Sequence, residues 1–122
     1  MNGETRSYGD ASPAHRSQML KGIVELALLS LLAERPCYGL DILERLRSEA
    51  GLMLAGGALY PLLHRLEKAG LTAAEWRLEE ANARPRKYYA LTKAGQAELQ
   101  AQHDAWRELS ASLTTFLERP MR

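Results

Sequence analysis

GGALYPLLHRLEKAGLTAAEWRLEEANARPRKYYAL, residues 56 to 91, decides how the rest of the chain is read. Within it Leu59, Leu62, Leu63 and Leu66 recur at three- and four-residue spacing, lining one face of a helix expected over Ala58 to Lys68. The other face carries Pro61, His64, Arg65 and Lys68. A helix with one leucine face and one basic face can rest on a core and still offer side chains to a groove. A plain solvated face, partly neutralised by Glu67, would have the same composition.

Gly70 stands where a left-handed helix cap is wanted, and two extended segments follow. Leu71 to Leu78, with Trp76, reads as one strand; Arg84 to Leu91, with Tyr88 and Tyr89, reads as its partner. Glu79 to Ala83 between them is polar or small, and Asn82 tolerates the positive φ of a hairpin turn. Arg84, Arg86, Lys87 and Lys93 fall in a run with no acidic residue between Glu80 and Glu98, and Pro85 stiffens the backbone between two arginines. Guanidinium forks at such a tip suit phosphate oxygens or a narrow minor groove; a soluble hairpin end is the plainer reading. Helix, strand, turn and strand in this order have the layout of a winged helix-turn-helix.

Four segments carry a family resemblance: MLKGIVELALLSLLAERPCYGLDILERL at 19 to 46, ALYPLLHRLEKAGL at 58 to 71, EW at 75 to 76, and RPRKYYALTKAG at 84 to 95. In order and spacing they resemble the PadR-like transcriptional regulators, from about Met19 to Phe116. The resemblance implies a winged-helix DNA-binding domain with a C-terminal dimerisation helix, usually acting as a repressor, with Tyr38, Ala58 and Tyr60 at positions facing DNA. Tyr38 could equally serve by packing its ring. Where the family commonly has Ser and Thr before the Leu-Tyr-Pro, this chain has Ala55 and Ala58. Loss of a capping hydroxyl costs about 1 kcal/mol, and Gly56 or Gly57 is expected to cap in its place.

At 122 residues and 46% hydrophobic content the chain is expected to form one helical core. Its net charge of +1 means that attraction to DNA must come from a local patch. The single cysteine, Cys37, excludes an internal disulfide and fits a reducing cytoplasm; beside Pro36 it reads as a small buried residue rather than a redox sensor. No uncharged run approaches the roughly 20 residues that span a bilayer, and the start lacks a signal-peptide pattern. A cytoplasmic protein without membrane partners is expected.

Residues 1 to 18, rich in Ser, Gly and Asp, read as a flexible tail, with Arg6, His15 and Arg16 able to brush DNA. Residues 19 to 91 form the expected winged domain and 92 to 122 the dimerisation helix. A first helix from Met19 to Ala33 is apolar almost all round, through Leu20, Ile23, Val24, Leu28, Leu31 and Leu32, and so needs cover on several sides. A second, Tyr38 to Glu49, is expected to turn Leu40, Ile42, Leu43 and Leu46 to the core, with Gly51 ending it. Thr92 reads as the N-cap of a last helix reaching Leu117, and close contact with the wing is the reason for Gly95 in its first turn.

Leu99, Trp106 and Leu113 recur every seven residues, with Leu109 and Phe116 interleaved and Gln102 as the one polar member. This seam is expected to pack on the first helix of a twofold mate, through Leu20, Ile23 and Val24, giving an isologous homodimer. Some PadR-like sensors hold flat aromatic ligands between tryptophans at that interface. Trp106 is therefore either an interface anchor or the platform for a small aromatic effector.

Catalysis finds no footing. His15, His64 and His103 lie far apart without metal-ligand spacing, no Gly-rich phosphate loop or nucleophile elbow occurs, and His103 with Asp104 reads as a solvated pair. No metal or cofactor is expected. The reading is thus a mainly α fold with a small β-hairpin, a winged helix-turn-helix plus a dimerisation helix, binding double-stranded DNA at half-sites about 34 to 36 Å apart. His64, Arg65 and Lys68 are the candidate contacts of the helix, and Arg84, Arg86 and Lys87 those of the wing. A winged-helix protein-interaction module, or a non-catalytic small-molecule sensor with little DNA binding, is the alternative.

Overall fold

The computed structural model describes residues 22–79 and 84–121. The expected tail, the interface residue Leu20 and the hairpin turn at Asn82 lie outside the described residues. Among the described residues, four helices and a small antiparallel sheet follow in the order α1 (Val24–Glu34), β1 (Cys37–Tyr38), α2 (Gly39–Ala50), α3 (Gly56–Lys68), β2 (Thr72–Arg77), β3 (Arg86–Leu91) and α4 (Lys93–Leu117). The sheet order is β1-β3-β2, and this is the winged helix-turn-helix architecture that the residue pattern points to.

The core is made by leucines from three helices and closed by the sheet. Leu28 and Leu29 of α1, Ile42 and Leu46 of α2, and Leu59, Leu63 and Leu66 of α3 are fully buried, with Cys37 and Tyr89 completing the cluster. Burying each such side chain is worth about 1.5–3 kcal/mol, so the leucine face of α3 is what fixes that helix on the domain. Its remaining leucine, Leu62, is half-buried and packs at the edge of the cluster.

Three features of the first helices depart from expectation. Among the described residues the first helix begins at Val24, because Gly22 takes φ +87°, a left-handed conformation that a right-handed helix does not pass through. Tyr38 does not open α2. It lies in β1, paired with Tyr88, and N-caps the helix from extended backbone. Leu40 is not a core residue: at the start of α2 it borders only a shallow open pocket with Leu43, Met53 and Leu54, and it is 68% exposed. Gly51 ends α2 in the left-handed conformation, as expected.

The junction at the end of α3 is held by a set of backbone and side-chain hydrogen bonds. Gly70, at φ +79°, donates to Glu67 O, and Leu71 N donates to Leu66 O, the paired bonds that close a Schellman cap. Thr92 then clamps this end to the start of α4. Its Oγ1 accepts from Gly95 N at 3.0 Å and donates to Gly70 O at 2.7 Å, while Thr92 N donates to Leu71 O. Gly95 is buried in the same knot, in line with the close approach expected of it. At its other end α3 starts from Ala55, which supplies no side-chain cap, and neither Gly56 nor Gly57 stands in as the cap residue: both are already helical.

One polar atom among the described residues is buried without a partner, Thr72 Oγ1 at the start of β2. An unsatisfied buried hydroxyl costs about 1–3 kcal/mol. Thr72→Val keeps the shape and removes the hydroxyl, so it is expected to raise the urea midpoint, by about 1 kcal/mol of stability; a lowered midpoint would show that the hydroxyl is satisfied in solution.

Candidate nucleic-acid interface

The basic face of α3 divides in the structure. Pro61, His64 and Lys68 stand exposed along its outer side, and neither His64 nor Lys68 is engaged by a side chain among the described residues. Arg65 and Ala58 lie to one flank, where they line a groove, and Tyr60 to the other. Arg65 is not free: its Nη2 donates to Glu25 Oε1 of α1 at 2.8 Å.

Tyr60 explains why glycine follows Tyr38. Its ring lies over the start of α2 so closely that a Cβ on Gly39 would come 2.3 Å from the Tyr60 hydroxyl. On the other side of that helix start, the Arg86 guanidinium sits 4.5 Å above the Tyr38 ring, and Tyr38 meets Tyr88 edge-on with centroids 5.3 Å apart. Arg77 covers the Tyr88 ring at 4.5 Å, so two paired tyrosines on one face of the sheet each carry an arginine. Such contacts hold a guanidinium by its flat face, while the edge of Arg77 is turned to a carboxylate, its Nε donating to Glu75 Oε2 at 3.2 Å.

Lys87 makes the link back to α3. Its Nζ lies 3.5 Å from Glu67 and 5.5 Å from the Tyr89 centroid. Arg86 has Glu79 at 3.7 Å, with both side chains about half exposed, and such pairs are worth little in water. Arg84 is exposed just beyond the turn. The contacts Tyr60–Gly39, Tyr38–Arg86 and Glu67–Lys87 thus tie α3, the Tyr38-Gly39 corner and β3 together, with Arg86 and Lys87, consecutive in the strand, on opposite faces of the sheet. Tyr38 and Tyr88 pack ring to ring here, whereas Tyr60 is 49% exposed.

Two charged clusters are invisible to local spacing. Arg45, 5% exposed, donates to Glu34, to Glu49 at 2.9 Å and to Cys37 Sγ at 3.3 Å, joining α1, β1 and α2. The hydrogen bond to Glu49 is foremost in keeping its guanidinium charged. Burial pushes the Cys37 thiol up, against the opposing hydrogen bond from Arg45, so it stays protonated and unreactive. The second cluster centres on Glu25. Burial alone would raise its carboxyl, but hydrogen bonds from Gln102 and Arg65 outweigh this and hold it below the ordinary range. A lone carboxylate in the apolar stretch VELALLSLLA is itself a signal, since a half-buried charge needs a partner.

The C-terminal helix leaves α3 and the sheet behind. Leu99 packs on the subunit's own core, whereas Trp106, Leu109, Leu113 and Phe116 are exposed, Trp106 by 44%. Trp106 and Leu109 form one wall of a groove of roughly 870 Å³; Ile23, Val24 and Leu62 lie across it. No helix among the described residues is long and apolar enough to cross a membrane, and no cluster of three or more His, Cys, Asp or Glu fit for a metal occurs among them.

Known proteins share this arrangement. Residues 28–101 match the model of the transcriptional regulator PadR-like family. A transcriptional regulator of Mycobacterium tuberculosis is 36% identical over 90 residues, covering 74% of this chain and 81% of the relative. A PadR family transcriptional regulator of Eggerthella lenta superposes with a TM-score of 0.77 at 32% identity, over 88% of this chain and 92% of that one. A PadR-like transcription factor from Bacteroides fragilis is 39% identical, with a TM-score of 0.68 over 84% of this chain and 98% of its own. With the matched segment running from the middle of α1 into α4, through every element that builds the surface, the chain belongs to the PadR-like family of transcriptional regulators.

Proposed function

We propose that the protein is a homodimeric repressor that binds double-stranded DNA, with α3 in the major groove and the wing on the flanking backbone. The observation that carries this reading is the set of cations on α3 and the wing, two elements that the Tyr60–Gly39, Tyr38–Arg86 and Glu67–Lys87 contacts hold together. The set comprises His64 and Lys68 on α3 and Arg84, Arg86 and Lys87 on the wing, although the chain's net charge is only +1. A local cationic patch on a nearly neutral protein suits phosphate binding. Pairing is supported by the stripe from Trp106 to Phe116, which the subunit's own fold leaves uncovered. In a twofold dimer the two copies of α3 would meet successive major grooves of a palindromic operator.

The wing contact is tested by Arg86→Ala. Binding to all sequences is expected to weaken alike, and the slope of log K against log salt to fall by about 1 for each bound subunit. Removing a guanidinium stacked on Tyr38 also disturbs packing, which is why the slope, a count of neutralised phosphates, is the deciding quantity. An unchanged slope in a folded variant would take Arg86 out of the interface.

A further inference from the structure

We propose that Glu25 is a positioning residue for DNA binding: its carboxylate holds the Arg65 guanidinium to the flank of α3 and away from the duplex. The inference rests on the DNA-binding reading above. Its basis is a hydrogen-bonded chain that crosses three helices. Glu25 Oε1 accepts from Arg65 Nη2 at 2.8 Å, Oε2 accepts from Gln102 Nε2 of α4 at 2.6 Å, and the same Nε2 lies 2.7 Å from Glu98 Oε2. The one polar member of the α4 seam therefore has a partner, and that partner is the carboxylate that pairs with α3.

The two ends of the pair differ in a way that decides its role. The Glu25 side chain is 20% exposed and the Arg65 side chain 63%. Glu25 is fixed from both sides, by Gln102 and by Arg65, within a groove whose other walls are largely apolar. Arg65 is long, mostly solvated and anchored only at its tip, so the guanidinium is the group that can move. While it is paired its charge is cancelled, and a phosphate must compete with an oriented carboxylate to recruit it. Basic residues on the last turn of α3 also suit that helix's own dipole, which favours a released Arg65 beside Lys68.

Glu25→Gln keeps the shape and removes the charge. Measured by fluorescence anisotropy on a labelled duplex across a salt series, it is expected to raise affinity at low salt, on the order of fivefold, and to steepen the salt slope by about 1 per subunit. Adding Arg65→Ala should abolish both gains, because the released guanidinium is their source. Glu25→Asp, which restores the charge, should reverse them. A purely structural role for Glu25 would change stability without steepening the slope. Should Glu25→Gln fold poorly, Glu25→Leu, matched to the apolar walls, should give the same gains. Sedimentation of each variant excludes a change of assembly as their cause.

A folded, charge-free variant whose affinity and slope match or fall below those of the parent overturns the proposal while leaving DNA binding intact. Absence of binding by parent and variants alike, to bulk duplex and to fragments selected from the host genome, would instead bring down the DNA reading and this inference with it.

Discussion

Gly95→Ala is expected to destabilise the protein by about 1–3 kcal/mol, seen as a lower urea midpoint, although the same change inside an exposed helix gains about 1 kcal/mol. The sign is set by space. A Cβ at position 95 would stand 2.1 Å from the Leu71 carbonyl oxygen and 2.6 Å from Leu91 Cδ1. Leu91 can turn aside, but the carbonyl belongs to the backbone between α3 and β2 and is itself bonded to Thr92 N at 3.1 Å. The start of α4 must therefore back away, which strains the bonds from Gly95 N to Thr92 and from Thr92 to Gly70. Because Gly70 closes α3, the change should also reduce DNA affinity for every sequence. A midpoint equal to or above that of the parent would show that α4 can slide off the junction without cost.

The two helix ends of this junction were readable from local chemistry, though the bond from Thr92 to Gly70 that joins them, 22 residues apart, was not. Gly70 and Thr92 stand at helix ends where backbone groups lack partners, and such needs are met by residues a few positions away, so identity and spacing suffice. The leucine face of α3 and the hairpin of β2 and β3 were readable for the same reason. Local patterns fail where cover comes from elsewhere. Leu40 shares the apolar character of Leu43 and Ile42, yet it is 68% exposed. Strand β1 has only two residues, too few for a periodicity, and exists because Tyr88 and Tyr89 pair with it. The cations of the surface could be named from the run at 84 to 87, but not the restraints on them. Glu25 is 40 residues from Arg65, and Glu67 is 20 from Lys87, separations that only folding closes.

Trp106→Ala is expected to weaken the proposed dimer by about a thousandfold. Truncating a tryptophan at the centre of an interface costs about 2 kcal/mol or more. In an isologous pair each substitution is made twice, so about 4 kcal/mol is lost, three factors of ten in the dissociation constant. The subunit itself should lose little stability, since Trp106 is already 44% exposed and its neighbours along α4, Leu109, Leu113 and Phe116, are exposed with it. Sedimentation velocity from nanomolar to tens of micromolar reads the shift, and Trp76→Ala is the matched control. Trp76 is 68% exposed, but it sits on the wing opposite Lys87 and takes no part in the stripe. Dissociation of both variants would point to a general loss of solubility or fold. A Trp106 variant that remains dimeric at the lowest concentration would remove that side chain from the seam and shift the pairing to another face. The spacing of the two α3 helices, and with it the expected operator, would then have to be derived from that other face.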